Sequence, residues 1–530
     1  MPEQLPFEID ERIDPSLVTA HAGVPLVIEL FRRVGAAQVI NAEVRIKQRQ
    51  RGLTSAQLVE TLVALWAAGG DRCQDLTTLR ADAALAALLG FELPAATTMR
   101  DFLEACHGEA LPLLHASEKT AVPEESAPLA GVGAANRRIL AAVQQQAPQV
   151  TATLDVDATI LEAHKRAATM AYDGTRGYQP VVAVWAEQDL IVHDEFRDGN
   201  VPAGCGNVRI LERAVAALPS GVSNIFVRGD SARYEQEVLA WCEEPARGIG
   251  YAISADMSPP LRAEIERLPE TAWQPDREEP DVIREWAEVP YVPDDKDYRK
   301  DRPCVRRYLA IRVRHRQGEL FADGSPVKYF TIVTNRAGDG LTLIRWHREK
   351  AGTVEHVHHV LKNELAAAAL PSGKFGANAA WFRLNVLTYN LLSALKRLAL
   401  PGDFSDARPK RLRFLVFNTV GKVIHHARRT LLRLTTAAQQ TFLALARSKI
   451  LALSPAYPEN RVSHGGVMRD SSAWTPVSHC PNTAINVRRS TVHSTGFERY
   501  AEAAQSSRRR RTFWGSAPVT RMTGIFGSTI

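Results

Sequence analysis

The 530-residue sequence has little cysteine. Its six residues, Cys73, Cys106, Cys205, Cys242, Cys304 and Cys480, lie far apart with no CxxC pair, so neither a disulfide framework nor a zinc-finger scaffold is expected. No stretch approaches the ~18 uninterrupted apolar residues of a membrane span. The opening MPEQLPFEID is acidic and lacks the basic and apolar regions of a signal peptide, which makes a reducing cytoplasm the expected compartment and no membrane partner. Lysine is missing from the last ~60 residues, where Ser, Thr, Arg and Pro crowd together and periodicity is poor, so disorder is expected there. Acids are scarce towards the C-terminal end, where residues 450–530 hold four against ten Arg, and scarcest just before it. Residues 396–449 hold twelve Lys and Arg against Asp403 and Asp406, whereas residues 1–395 are net acidic, and the whole chain carries 65 basic against 59 acidic groups. Such lopsidedness points to a polyanionic partner for the basic stretch; the alternative is a solvated, positively charged helix face.

At roughly 100–200 residues per domain the length allows about three to four units. Residues 1–125 read as helical: apolar spacing over Ala56–Trp66 with Thr54 or Ser55 as cap and Gly69-Gly70 as stop, a second run Leu76–Leu89 after Asp75, and a third from Met99 to Cys106. Short helices with tight turns suit a bundle or a helix-turn-helix-like module. Residues 116–135, rich in Ala, Glu, Pro and Gly, read as a linker, and 126–150 as linker and helix. From Thr151 the period falls to two. Strands are expected over 151–157, 179–185 and from Leu190, then a helix over 208–218, a strand over 223–227 and a helix over 232–243. The order β-β-β-α-β-α points to an α/β, RNase H-like core, a mixed sheet flanked by helices, whose first part is 151–248. Residues 249–345 read as a β-rich insertion, and 346–450 as closing helices with the basic region, helical around Leu415 to Ile450; 451–530 is the Arg-rich tail.

Asp155 and Asp157, two residues apart, share a strand face near its C-terminal end. A carboxylate pair there is costly to bury without a cation or donors, so it marks a metal site, or else one acid caps the next turn. The fourth strand ends in Arg228-Gly229-Asp230-Ser231, and its acid would lie beside the first strand in such a sheet. On the helix near Thr353, Glu355 and Lys362 differ by about 20° after seven residues and share a face, whereas Glu355 and Glu364 are opposed. A cation on that face favours Glu355; an exposed helix with incidental charges fits the same spacing. His356, His358 and His359 are not spaced as HExxH, and no zinc site is expected. Two aspartates and a glutamate holding two divalent cations would carry in-line phosphoryl transfer, and all-oxygen ligands suit Mg²⁺ or Mn²⁺.

With these residues in view, the sequence resembles the DDE-type transposases of bacterial insertion sequences, the RNase H-like group with a β-strand insertion before the catalytic glutamate. The resemblance spans roughly residues 20–450. It is carried by Leu154-Asp155-Val156-Asp157-Ala158-Thr159, Arg197-Asp198-Gly199-Asn200, Arg228-Gly229-Asp230-Ser231, Glu355 with Lys362, and Asn378-Ala379-Ala380-Trp381. Gly70-Asp71-Arg72, Asp75-Leu76 and Leu79-Arg80 resemble the family's N-terminal helical region. The resemblance implies Asp157, Asp230 and Glu355 as catalytic metal ligands, with Asp155 in reserve and Lys362 as a phosphate ligand. Related enzymes carry Tyr and Arg seven and four residues before the glutamate, where this chain has Arg348 and Ala351; Arg348 and Lys350, with Trp346 and His347, would substitute in a shifted register. Trp273 and Trp286 are candidates for stacking on a flipped base or for packing.

The implied function is cut-and-paste transposition: binding of terminal inverted repeats, metal-dependent strand cleavage and transfer of the 3′ ends to target DNA by a homodimer, with the helical domain 1–125 binding ends or dimerising. Two rivals are a catalytically inactive or domesticated DNA-binding protein and a stand-alone metal-dependent nuclease. The chain continues through Arg508-Arg509-Arg510-Arg511 beyond the family's usual end, as an added DNA-binding arm or the product of a frameshifted or fused gene.

Overall fold

A computed structural model describes residues 18–46, 51–108, 113–116, 120–165, 167–293 and 306–454. The tail expected to be disordered lies, from residue 455 on, outside them. No helix among the described residues is long and apolar enough to cross a membrane.

After the short strand β1 (Val18–Thr19), the N-terminal region is helical: α1 (Val24–Arg33), α2 (Ala36–Glu43), α3 (Ser55–Ala68), α4 (Leu76–Arg80), α5 (Ala83–Leu89) and α6 (Ala96–Glu104). A capping box starts α3, with the Gln57 amide donating to Thr54 Oγ1 and the Thr54 amide to Gln57 Oε1, and Gly69 in a left-handed conformation ends it. The expected helix over Leu76–Leu89 is two helices. Asp82 accepts the Leu85 amide at 2.7 Å and so caps a fresh start instead of continuing the first.

A two-stranded ribbon, β2 (Leu113–Ala116) and β3 (Ala121–Pro123), leads into α7 (Ala127–Gln146), twenty residues where a linker is expected over 116–135. Pro128 stands at its first turn, and Leu129, Val132, Ala135, Ile139, Leu140 and Val143 bury one face. Composition misleads here because Gly131 serves packing. A Cβ at that position would lie 3.0 Å from Glu43 of α2, so the glycine permits two helices to approach closely.

The central sheet uses β4 (Thr151–Ala158), β8 (Val181–Trp185), β9 (Leu190–Glu195), β10 (Asn224–Gly229), β11 (Gly250–Ala255), β12 (Gln274–Glu278), β13 (Val282–Val289), β14 (Arg307–His315) and β15 (Lys328–Thr334). Their spatial order is β12-β13-β14-β15-β11-β10-β4-β8-β9. Strands β4, β10 and β11 run parallel, β8 and β9 form an antiparallel meander on one side, and β15 joins β11 antiparallel on the other. The strands expected as an insertion therefore lengthen the same sheet. Between β4 and β8 lies a small sheet of β5 (Leu161–Glu162), β6 (Thr169–Met170) and β7 (Arg176–Tyr178).

Helices α8 (Asn207–Ala216), α9 (Gln236–Glu243) and α10 (Pro259–Glu266) follow β9, β10 and β11, and α11 (Gly340–Arg348) and α12 (Lys350–Glu364) follow β15. Helix α13 (Phe375–Leu398) is buried on nearly every side from Ala377 to Leu395, and the polar side chains it takes inside are bonded, Arg383 to Asp194 and Glu125 and Asn390 to the Ile191 carbonyl. Its Trp381 meets Trp66 of α3 edge-to-face at 4.8 Å, a pair contributing about 0.5–1.5 kcal/mol beyond area burial. One apolar core thus runs from the N-terminal helices through α13 to the sheet. After the single turn α14 (Pro409–Leu412), residues expected to be helical instead form an antiparallel hairpin, β16 (Gly421–His426) and β17 (Arg429–Leu434), and only then α15 (Ala437–Ala452). The alternation of exposed Lys422, buried Val423 and part-buried Ile424 is the strand signal there.

Candidate active site

Strand register brings the first two candidate acids together. Gly229 is the partner of Val156 in the parallel β4–β10 pair, so the next residues, Asp157 and Asp230, stand side by side at the carboxyl ends of adjacent strands, about 4.8 Å apart in the pairing direction. Burial pushes the Asp157 carboxyl up to about 6; Lys350 opposes that rise and Asp230 adds to it. Asp157 Oδ1 accepts the Ala158 amide at 2.9 Å. Asp230 Oδ1 is buried with no hydrogen-bond partner.

Asp155 has a different role. Register pairs it with Arg228, whose Nε and Nη2 donate to its two oxygens at 2.6 and 2.8 Å, and Thr353 Oγ1 also donates to it. The side chain is fully buried. With its lone pairs filled by a fork and a hydroxyl, Asp155 is a structural carboxylate that ties β4 to β10 and to the start of α12. Arg228 reaches further, donating to the Trp346 carbonyl at 2.6 Å and to Glu349 at 3.0 Å.

Helix α12 lies over β4 and presents one face to the aspartates. His358 Nε2 stands 3.9 Å from Asp157 Oδ2, and burial drives its pKa down to about 3, so the ring is neutral and the contact is not an ion pair. Glu355 and Lys362 lie three residues before and four after it, on the same side of the helix. The Lys362 ammonium is pulled below its ordinary pKa by burial and held up by Asp157. Glu355 is 56% exposed, with Lys350 Nζ 3.8 Å away. Glu364 points elsewhere: it is buried, accepts the Lys410 amide at 2.9 Å and pairs with Arg408 at 3.2 Å.

The other expected groups divide in two. Lys350, only 12% exposed, faces Asp157 and Glu355. Arg348 does not: its fork holds the buried Asp276 of β12, with Nη1 to Oδ1 at 2.9 Å, and so fastens β12 to α11. Trp273 lies under the Arg312 guanidinium at 4.3 Å and Trp286 packs on Gly340; both are buried. The 197–200 turn is a bracket, in which buried Arg197 donates to Glu195 at 2.7 Å and to the Cys205 carbonyl at 2.7 Å, and the Gly199 amide donates to the Gly177 carbonyl at 3.1 Å.

Three further groups surround the aspartates, of which the sequence reading missed Arg233, named His347 only among the shifted-register substitutes and set His358 aside with the zinc question. Arg233 is buried behind them; Nη1 donates to the Ala203 carbonyl at 2.7 Å and to Asn207, while Nε and Nη2 have no partner. Burial pulls its pKa down to about 10 against the opposing pull of Asp230 and Asp157. His347 Nε2 lies 3.0 Å from the Gly229 carbonyl, directly before Asp230. His358 is the third. The only signal for it was the α12 face already drawn through Glu355 and Lys362, on which residue 358 falls.

Among the described residues, no three His, Cys, Asp or Glu side chains stand close enough to hold a metal ion. The aspartate pair nonetheless fits a hard divalent cation. It offers adjacent oxygen donors, one of them buried and unpartnered, and a carboxyl whose charge is disfavoured without a cation beside it.

Residues 8–455 match the family model described as transposase DDE domain group 1. Comparison with curated proteins gave no match. Among solved structures, the cryo-EM structure of a piggyBac transposase synaptic complex with hairpin DNA is similar over 84% of this chain and 88% of that one, at 11% identity and a TM-score of 0.40. On the family match, which takes in every element of the site described above, the chain belongs to the DDE-domain transposases.

Proposed function

We propose that the protein cuts and joins DNA at the ends of its own mobile element, using Asp157, Asp230 and Glu355 as metal ligands on an RNase H-like core. The observation that carries this reading is the register between β4 and β10, which sets Asp157 beside Asp230, one carboxylate oxygen of which is buried and orphaned. Mg²⁺ or Mn²⁺ held there would make the attacking water or 3′-hydroxyl a better nucleophile and stabilise the leaving oxygen. Asp157 and Asp230 are fixed by the sheet; Glu355 on α12, whose exposed side chain does not stand with them as a three-acid cluster, would supply the third carboxylate by turning in on a bound cation. Lys362 and Lys350 flank that carboxylate and neutralise a phosphate as it arrives. Arg348, engaged by Asp276, holds the sheet extension on α11 and is left out of the phosphate contacts. Arg233 offsets the paired aspartate charge from behind.

Cleavage at both ends followed by strand transfer, terminal inverted repeats as the sites bound, and a homodimer pairing two ends complete the reading. The full set of three acids weighs against an inactive DNA-binding protein. The test uses purified protein and duplex DNA carrying the sequences that flank the gene. Mg²⁺-dependent cleavage is expected, and Asp230→Ala should abolish it while leaving the binding isotherm within about twofold. Cleavage that survives in the Asp230→Ala protein would overturn the catalytic assignment.

A further inference from the structure

Resting on that reading, a second place on the molecule is shaped for DNA. The chain carries no Asp or Glu between Asp406 and Glu459, and the middle of this acid-free stretch is the β16–β17 hairpin. Its four cations, Lys422, Arg428, Arg429 and Arg433, are all exposed, and none has an ion pair or side-chain hydrogen bond among the described residues. Lys422 stands directly across from Arg433, and His426 directly across from Arg429, so each pair shares a face. Because side chains alternate, Lys422, His426, Arg429 and Arg433 all project from one face, with Ile424 and Leu431 between the two pairs.

Like charges directly opposed in a ribbon destabilise it unless an anion lies over them. No acid of the chain does so among the described residues. The backbone adds a second sign. The two-residue turn places Ala427 and Arg428 at φ of 47° and 62°, the left-handed region that Asn and Gly adopt at less cost, so a cation is kept at the tip in spite of strain.

Scale decides the partner. The short β1 pairs with β16 at Gly421 and Lys422 only, so beyond that base the hairpin is two-stranded; Arg429 and Arg433 are four residues apart on one strand, about 13 Å, and the major groove of B-DNA is about 12 Å wide and admits a two-stranded ribbon. Lys422 with Arg433 at one end of the ribbon face, and Arg429 with Arg428 of the turn at the other, can therefore meet the two phosphate backbones bordering one groove. We infer that the β16–β17 hairpin is a DNA-contacting ribbon that enters the major groove and is held by phosphates, separate from the carboxylate site.

The test measures binding of full-length protein to a labelled, random-sequence duplex of about 30 base pairs by fluorescence anisotropy, over about 50–300 mM NaCl. With four phosphates contacted at about 0.9 each, K422Q/R428Q/R429Q/R433Q should reduce the slope of log K against log salt by about 3 to 4 and weaken binding at least tenfold at 100 mM. The charge-preserving exchange K422R/R433K should keep the slope of the unaltered protein. Thermal melts of both variants report on folding. An unchanged slope in a folded quadruple variant would overturn the inference, as would absence of duplex binding by the unaltered protein, or loss of self-association with an unchanged slope. Failure of the proposed function is read separately, as absence of Mg²⁺-dependent cleavage by the unaltered protein whatever the hairpin contributes to binding.

Discussion

Replacing Asp157 by asparagine should make the metal-free protein more stable at neutral pH, although it removes an acid from the proposed centre. Asp157 has its folded pKa pushed from 3.8 to about 6, chiefly by burial. A carboxyl raised in the folded state binds its proton more tightly there than in the unfolded chain. Its cost to stability is therefore absent below about pH 4, grows as pH climbs, and is complete above about pH 6. At 1.36 kcal/mol per pKa step the full cost is about 3 kcal/mol. Asparagine carries no charge and keeps an oxygen to accept the Ala158 amide. The unfolding midpoint of Asp157→Asn, followed by circular dichroism without divalent metal, should exceed that of the unaltered protein at pH 7.5, and about half the gain should remain at pH 5. Added Mg²⁺ should stabilise the unaltered protein at pH 7.5 and the variant much less, because bound cation stabilises by mass action only where its ligand remains. A variant less stable at pH 7.5, or a gain that does not shrink at pH 5, would refute the reasoning.

Asp155→Ala should do the opposite, destabilising by about 3–5 kcal/mol in denaturant titration, because Nε and Nη2 of the buried Arg228 lose their carboxylate and only Nη1 keeps its partners. Gly340→Ala should cost about 1–3 kcal/mol by the same measurement, since a Cβ there would sit 2.2 Å from the Trp286 ring. Lys362→Gln should lower the cleavage rate by about 100-fold or more at saturating DNA, with the melting temperature within about 2 °C of the unaltered protein; a wild-type rate would remove Lys362 from the phosphate contacts.

Much of the fold could be read because residues 151–243 change period cleanly, and strand after strand falls where alternation places it. Asp157 and Asp230 were legible for the same reason, as acids at the ends of two strands. The difference between Asp155 and Asp157 was not, since the i, i+2 rule makes them equivalent. What separates them is register with β10, which sets Arg228 against one and the end of the strand against the other. Arg348 misled because a cation just before α12 looks free until Asp276, seventy-two residues away, is brought to it. Helix α7 and the β16–β17 hairpin failed on composition: glycine in the first is a packing device, and the charges of the second hide a strand alternation.

Those two groups of charge do different work. Around the aspartates, Lys350 and Arg233 already act against the two negative charges, and Lys362 stands by Asp157, so the site without cation presents no strong positive field to an approaching polyanion. The acid-free stretch after Asp406 has no such internal balance. If the proposed function and the inferred ribbon both hold, attraction and chemistry are separated in space: unpaired cations on the hairpin would gather DNA, where salt should screen strongly, and a compensated site would cut it, where salt should act weakly. Raising NaCl should then lower affinity far more than the cleavage rate of DNA already bound. A cleavage rate that fell in step with affinity, at saturating DNA, would place the decisive cations at the carboxylates instead.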